Sequence, residues 1–370
     1  MSLQVLVVGG GIGGLAAAIA LGRKGHNVTV IERDPDWSVY GVGIIQQSNV
    51  VRAMEQLGVL DRFIEAAFGF DAVEIFAPDG TKVARVPSPR LVEGRPANVG
   101  IGRPALQKVL ADTARELGAE VRLGVTVESL HDDGTAVDVA FSDGAMGRYD
   151  LVIGADGVRS QIRGMILPGA EGPEYTGQAV WRYNLPRPVD LDALRAYNGP
   201  TGVGLVPMSE PVMYMFVTTP EPGNPRYPVE GMAARMRERI AGCAPAIREL
   251  GEFITDDAAV VYRPLEGMIV TGPWSKGRVV LLGDAVHATT PHLGQGAGMA
   301  IEDALVLAEE LDGAIDVAGA CVSYRDRRYE RCSYIVSASL AICYGQLGKG
   351  PPGDMHQATA AMVETVAKPI

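Results

Sequence analysis

The sequence predicts an α/β fold in which a parallel sheet wound with helices carries an inserted layer of mixed β-sheet. Three observations predict it. The N-terminal stretch reads as strand, glycine-rich turn, helix and second strand. Apolar strands and helices alternate through most of the remainder, and between about residues 172 and 264 that texture gives way to strands punctuated by Pro and Gly. A chain of 370 residues, 47% of them apolar, can bury two cores, or one large core with an inserted layer. Its formal charge of -11 argues against nucleic acid or anionic membrane as the main partner, since either favours a basic face, and leaves small molecules. Cys243, Cys321, Cys332 and Cys343 show neither CxxC nor a His-paired ligand spacing, so they are expected to be reduced thiols in a cytoplasmic protein, with no metal. Leu3 to Gly22 is uncharged and resembles a signal peptide or membrane span. Six glycines interrupt it, however, and a polar turn and second apolar strand follow, so no targeting segment is expected.

In "LQVLVVGGGIGGLAAAIALGRKGHNVTVIERD", Leu3 to Val8 is a buried strand, Gly14 to Lys24 a helix that Gly25 stops, and Val28 to Ile31 the next strand. Gly9, Gly11 and Gly14 occupy GxGxxG positions, with Gly13 beside them. Such glycines permit a tight turn, close approach of backbone to a pyrophosphate at the helix N-terminus, and close helix-to-strand contact. Glu32, followed by Arg33, ends the second strand, where a carboxylate can accept hydrogen bonds from an adenosine ribose. The context predicts a Rossmann-like dinucleotide site against a merely structural glycine turn. It does not distinguish FAD from NAD.

Pro104 opens a helix with apolar residues Leu106, Val109, Leu110, Ala114 and Leu117, and Gly118 closes it. Arg103, at its N-terminal edge, is either a solvated cation or a partner for a phosphate or ribityl group. Short strands are expected at Glu120 to Leu123, Val125 to Leu130, Ala136 to Phe141 and Tyr149 to Ile153, with a turn at Asp143-Gly144. They lead into "GADGVRSQIR", residues 154 to 163, which alone could be only a turn. Near the other end, "LLGDAVHATTPHLGQGAGMAIEDA", residues 281 to 304, places Gly294, Gly296 and Gly298 as bare backbone between an apolar strand and an apolar helix, a run that packing alone does not explain.

Taken together, the GxGxxG segment with Glu32, "GADGVRSQIR" and "GRVVLLGDAVHATTPHLGQGAGMAIEDA" resemble the three fingerprints of the class A, single-component flavoprotein aromatic hydroxylases of the para-hydroxybenzoate hydroxylase type. Order and spacing match from residue 5 to about 330. Within that family the chain is more similar to the salicylate, urate and 6-hydroxynicotinate hydroxylases. The resemblance implies a Rossmann-like FAD-binding domain (residues 1–70, 98–171 and 265–320) with an inserted mixed β-sheet substrate layer (71–97 and 172–264) and a C-terminal helical segment (321–370). It implies Asp284 on the ribityl chain and the backbone from Pro291 to Gly298 along the isoalloxazine, including Gly294 and Gly296. It also implies a helix that starts near Ala297 and points at the flavin pyrimidine edge. Reduced flavin is anionic at that edge, which unpaired helix N–H groups favour. Asp156, beside Gly157, resembles a residue near the FAD pyrophosphate that is also linked to nicotinamide cofactor binding. No second GxGxxG unit is present, which fits a family whose NADH or NADPH binds transiently as electron donor.

In the inserted layer, "QAVWRYNLP", "GVGLVPM" and "PVMYMFVTT" read as strands and Val229 to Leu250 as a helical hairpin or broken helix. Alternation puts Arg182 and Asn184 opposite Trp181 and Tyr183, and groups Tyr214 with Phe216, so that one face roofs the pocket. Trp181, Tyr214 and Met215 weigh more as core than as ligand contacts. Arg182 and Tyr214 are nonetheless the polar candidates for orienting a substrate. His292 is expected either to accept a phenolic proton, as a group titrating near neutrality, or to make a structural polar contact. His287 is a supporting residue near FAD. The arginines of "YRDRRYERCSYIV" are expected on a solvated helix face, with a nucleotide or subunit contact as the alternative, and a short tail is expected beyond Gly348.

The implied activity is an NAD(P)H- and FAD-dependent monooxygenase. It would transfer oxygen from O2, through a C4a-hydroperoxyflavin, to a small hydroxylated aromatic or heteroaromatic substrate, as a monomer or homodimer. The alternatives are a flavin-dependent halogenase, although "WRYNLP" lacks the second Trp of that group's motif, and a flavin redox sensor without turnover.

Overall fold

The computed structural model describes residues 2–351 and 355–370. Strand Gln4–Val8 pairs in parallel with Asn27–Glu32 on one side and Leu151–Gly154 on the other. Glu120–Leu123 extends the sheet in parallel at one edge, Val279–Leu281 at the other, and the short Ser275–Lys276 closes it antiparallel. Helices and loops cover both faces, so Val5 to Val8 and Leu151 to Ile153 are buried without alternation, as their unbroken apolar runs require. The first helix, Ile12–Arg23, begins two residues earlier than expected, with Gly13 and Gly14 inside its first turn. A Cβ on Gly13 would lie 2.9 Å from Leu282 Cδ2, and one on Gly14 would lie 2.0 Å from the Gly9 carbonyl oxygen. These two glycines therefore set how closely the helix packs. The helix Arg103–Glu116 and the strand Glu120–Leu123 follow the expectation, whereas the expected strand Tyr149 to Ile153 divides into the end of Met146–Tyr149 and Leu151–Gly154.

A second, seven-stranded sheet runs in the order Val261–Gly267, Glu174–Pro186, Val212–Pro220, Gly202–Pro207, Leu194–Tyr197, Ala72–Phe76, Lys82–Pro87. It is mixed, because Leu194–Tyr197 pairs with Ala72–Phe76 in parallel while the other neighbours are antiparallel. Directly paired residues share a face. Arg182 stands opposite Phe216 and Val261, Val180 opposite Arg263, and Asn184 opposite Tyr214. That face looks into the cavity described below. The other face buries Trp181, Tyr183 and Met215 in a core with Met232, Met236 and Ile240 from the helix Met232–Ile240, which breaks before Pro245–Glu249. The expected alternation thus holds, and of the three large residues weighed as core only Tyr214 turns to the cavity.

A three-stranded sheet of Gly43–Gln46, Asn98–Gly102 and Ala67–Phe70 lies against the seven-stranded one. A Cβ on Gly43 would fall 2.1 Å from Tyr214 Cδ1, and one on Gly100 2.0 Å from the Pro207 oxygen.

The C-terminal part departs from the expectation twice. Helix Val317–Gln346 carries the arginine cluster, yet Arg328 is completely buried rather than solvated, held between acidic residues of the helix Gly296–Leu311. Where a short tail is expected, helix Met355–Ala367 docks instead, burying Met362 and Val366, one turn apart on the same face. Its end is gripped by cations. Arg52 donates to the carbonyls of Val366, Ala367 and Lys368, and Arg331 to those of Lys368 and Pro369. Among the described residues no helix is long and apolar enough to cross a membrane.

Candidate active site

A cavity of about 560 Å³ opens where the loops after strands Gln4–Val8, Leu151–Gly154 and Val279–Leu281 meet the seven-stranded sheet. This is the carboxyl end of a parallel sheet, where open α/β folds bind ligands. A smaller cavity of about 250 Å³ is lined by Glu32, Arg33, Thr126, Asp156 and Gln161 among others. Gly11, Ala155 and Gly157 line both, so the two adjoin at the glycine-rich turn.

The glycines of that turn answer to different constraints. Gly9 has φ +111°, and a Cβ there would strike the Ala155 oxygen at 2.4 Å. Gly11 has ordinary extended backbone, and nothing in the protein comes within 4 Å of a Cβ added to it. Only something filling the cavity would demand glycine there, and a pyrophosphate at the uncapped N-terminus of Ile12–Arg23 meets that demand. Glu32 accepts the Gly10 and Asp34 amide hydrogens, one on each carboxylate oxygen at 2.9 Å, and keeps lone pairs for ribose hydroxyls. Trp37 and Gln107, both missed in the sequence, each donate to the Gly10 carbonyl at 2.8 Å and fix the turn from behind. Asp156 borders the smaller cavity, but its oxygens accept from Ser160 Oγ and from the amides of Gln161 and Ile162, capping the helix Gln161–Ile166. Gly157, at φ +82°, presents backbone to both cavities.

Asp284 reaches into the larger cavity at the start of a short helix. Enclosure by protein pushes its carboxyl pKa up, against the opposing pull of His287 and Arg103. Pro291 begins a single 3-10 turn, Gly294 at φ +65° ends it, and helix Gly296–Leu311 starts without a side-chain cap. Pro291, Gly294, Gly296 and Ala297 all line the cavity. The turn is stapled from below: Gln47 donates to the Leu293 carbonyl, and Gln295 bonds Gln47 and Asn49, which in turn donates to Glu302. Adjoining cavities, a ligand-facing glycine, a free carboxylate edge and an uncapped helix entry fit an extended dinucleotide with a flat ring.

On the facing wall stand Arg103, Arg182 and Arg263 with Tyr40 and Tyr214. Burial lowers the pKa of Arg103. It lowers that of Arg182 to about 10, with repulsion from Arg103 and Arg263 adding to the effect. Burial raises Tyr214, opposed by the same two arginines, Arg182 and Arg103. None of the three guanidiniums has a carboxylate partner among the described residues, and Arg263 instead lies over the Tyr40 ring at 4.2 Å. Glu266, an acidic neighbour in the lining, is bound by Arg159 at 2.8 Å. Tyr40 and Arg263 escaped the sequence reading because neither belongs to a motif.

His292 lines the cavity as expected, but it does not titrate near neutrality. Burial lowers its pKa to about 4, with only the Gln346 contact opposing. Gln346 Oε1 also accepts from Gln178 Nε2 at 2.8 Å, so His292 Nε2 must donate to that oxygen at 3.0 Å. Thr290 Oγ1 then donates to Nδ1 at 2.9 Å, and both ring nitrogens are committed.

Behind Asp284 lies a buried ionic cluster that the sequence did not disclose. Asp303 accepts from the Gly283 amide and pairs with His287 Nε2 at 2.5 Å and with Arg328 Nε at 2.8 Å, while Glu302 pairs with Arg328 and Arg331. Burial opposes ionisation of Asp303, but His287 and Arg328 outweigh it and hold the carboxyl at about 2. Asp303 in turn raises His287 well above its usual value despite burial. His287, Asp303 and Cys332 lie close enough to hold a metal, but Asp303 is already filled by the imidazole, the guanidinium and a backbone amide. The cysteines are free thiols.

Residues 2–338 match the FAD binding domain family. The aurachin C monooxygenase/isomerase of Stigmatella aurantiaca is 34% identical over 352 residues, covering 94% of this chain and 90% of the relative. The 6-hydroxynicotinate 3-monooxygenase of Bordetella bronchiseptica is 32% identical over 356 residues, covering 91% and 90%. Klebsiella pneumoniae HpxO, solved with FAD and uric acid, superposes with a TM-score of 0.82 at 27% identity, covering 99% of this chain and 92% of that one.

Proposed function

Because the chain belongs to the FAD binding domain family and is, like these relatives, a FAD-dependent monooxygenase, we propose that it hydroxylates a small hydroxylated aromatic or heteroaromatic ring, with NADH or NADPH as transient electron donor. The carrying observation is the single cavity that joins the glycine-rich turn and the Pro291–Ala297 backbone to the polar wall of Arg182 and Tyr214. Such a cavity supports the reading because oxygen transfer requires a flat cofactor and a second small ring to share one enclosure.

In this reading residues 1–70, 98–171 and 265–320 hold FAD, residues 71–97 and 172–264 cover the substrate, and 321–370 brace the flavin turn. Gly9, Gly13 and Gly14 shape the pyrophosphate turn and Gly11 leaves room for the phosphates. Glu32 and Arg33 meet the adenosine end, with Gly157 and the helix-capping Asp156 beside it. Arg103 and Asp284 take the ribityl and phosphate region, and the backbone of Pro291, Gly294, Gly296 and Ala297 lies along the ring. Bound FAD, once reduced, supplies the oxygen electrophile from O2. The helix entry at Gly296 favours negative charge on the flavin, the seven-stranded sheet excludes water, and Arg182 and Tyr214 orient the substrate ring. His292, neutral and bonded at both nitrogens, acts as a fixed polar contact in the wall.

The relatives act on 6-hydroxynicotinate and aurachin C by name, and HpxO holds uric acid. A panel of hydroxylated pyridines, purines, quinolones and benzoates, scored by substrate-stimulated NAD(P)H oxidation with product mass, tests the reading. Stimulation with hydroxylated product is expected from at least one ring; oxidation of NAD(P)H unaffected by every ring would refute it.

A further inference from the structure

Tyr214 and Phe216 of the covering sheet both line the larger cavity, and each rests on bare backbone. Tyr214 lies against Gly43 of the three-stranded sheet and is buried in a cluster with Phe70, Val206 and Met208. Phe216 lies against Gly204, its direct partner on the neighbouring strand, where a Cβ would fall 2.1 Å from both Cε1 and Cζ of the ring. Gly204 has no positive φ, so nothing in its own backbone demands glycine. The ring alone demands it: Phe216 lies down over Gly204 instead of standing into the cavity. The two aromatics also differ in freedom. Tyr214 is fixed by its cluster, whereas Phe216 is only half-buried. The other face of its strand is the packed core of Trp181 and Met215, so a Phe216 ring displaced from Gly204 turns into the cavity that it lines.

The wall of that cavity divides by chemistry. Arg182, Arg263 and Tyr40 make one part polar, while Ile45, Leu194 and Phe216 make another that offers no side-chain hydrogen-bonding group. Arg182 and Phe216 are direct cross-strand partners, so the boundary passes between them. A single hydroxylated ring oriented by Arg182 and Tyr214 would leave the apolar part facing water. A second, fused ring covers it and gives Phe216 an aromatic face on which to stack.

Resting on the hydroxylase reading, we propose that Phe216, laid flat by Gly204, determines specificity in this site, and that the substrate is a hydroxylated heteroaromatic of two fused rings whose second ring stacks on Phe216. Gly204 is the positioning residue. It touches no substrate itself and sets the depth of the pocket through the ring that rests on it, because any side chain larger than hydrogen at that place drives the ring into the space of the second substrate ring.

The test compares 4-hydroxypyridine with 4-hydroxyquinoline, which differ by one fused ring, binding being read from the perturbation of flavin absorbance in the FAD-loaded protein. The native protein should hold the hydroxyquinoline more tightly by about 10-fold, the worth of an aromatic contact. Gly204→Ala should fold and keep FAD, since alanine suits a strand interior better than glycine. It should weaken hydroxyquinoline binding by about 10- to 100-fold, the range of an overpacked site, and change hydroxypyridine binding little. Adding Phe216→Ala to Gly204→Ala removes the obstruction and should return the hydroxyquinoline to its affinity for Phe216→Ala alone. Several results would overturn the proposal: a native protein that does not prefer the hydroxyquinoline, a Gly204→Ala protein that unfolds, loses FAD or weakens both probes alike, or a double variant that is not rescued. The hydroxylase reading fails separately, because none of these measurements needs turnover. The expected binding pattern with no oxygenated product from any ring would sink only the hydroxylase, whereas oxygenated product from a protein whose binding ignores Gly204→Ala would sink only the role of Phe216.

Discussion

Gly11 and Gly14 stand one helical turn apart, and a single added methyl should separate ligand from fold. At Gly11 a Cβ meets nothing in the protein, so Gly11→Ala should fold with a loss of no more than about 1 kcal/mol, the worth of an N-cap change, while FAD retention collapses. Gly14→Ala puts a Cβ 2.0 Å from a backbone oxygen and should instead lower the melting temperature sharply or prevent folding. Melting curves beside flavin absorbance decide it; a Gly11→Ala protein that remains yellow would remove the pyrophosphate from that turn. Glu32→Ala should weaken FAD retention by about 1 to 3 kcal/mol, because it removes a ribose acceptor and also strands two amides. His292 gives a prediction of known sign. Its pKa is about 4 folded against 6.5 for the unfolded chain. Between those values the unfolded state binds the proton that the folded state refuses, so stability rises with pH by up to about 1.4 kcal/mol per pH unit. His292→Asn should flatten that stretch of the stability profile, read by denaturant unfolding at pH 4.5 to 6.5, and leave hydroxylation without an acid limb near neutrality. An unaltered slope, or hydroxylation lost with FAD retained, would contradict the neutral role.

Among the elements, the long helix Val317–Gln346 carries most of what the sequence concealed. Arg328→Met leaves Asp303 and Glu302 buried without their shared cation and should cost about 3 to 5 kcal/mol by urea unfolding. A cost below about 1 kcal/mol would show that the cluster relaxes or protonates freely. Removing residues 355–370 uncovers Gln295, which Met362 touches at 3.5 Å, and leaves Arg52 and Arg331 without their carbonyl partners. Weaker FAD retention is the expected result, and an unchanged FAD dissociation constant would show that the flavin turn stands without this helix. The glycine-rich turn, Glu32 and the Gly294–Gly298 run were legible because close backbone approach restricts residue type at fixed spacing. Strand alternation likewise set Arg182 and Asn184 apart from Trp181 and Tyr183 and grouped Tyr214 with Phe216, but the register that joins the two groups on one face was not in the sequence. Arg328 was not legible: four arginines at helical spacing look the same whether water or a buried carboxylate answers them, and Asp303, in the far-off "AIEDA", carries no mark of burial. The docked C-terminal helix was hidden by a gap of Pro and Gly before it and by an apolar face of only a few residues. His292 was found, but its protonation depends on Gln346 and Gln178, which lie far from it in sequence.

At the scale of the whole molecule, a parallel sheet that presents glycine turns and helix entries faces a mixed sheet that presents arginine and tyrosine, and the cavity between them is where two flat rings would meet. The account stands or falls on oxygen transfer across that space. The direct measurement is turnover of the FAD-loaded protein with NAD(P)H, isotopically labelled O2 and the ring that most stimulates NAD(P)H oxidation, with the product analysed by mass. The account predicts one labelled oxygen atom in each hydroxylated product and the other in water. FAD that is reduced and reoxidised while the label appears only in hydrogen peroxide, for every ring that stimulates reduction, would contradict it.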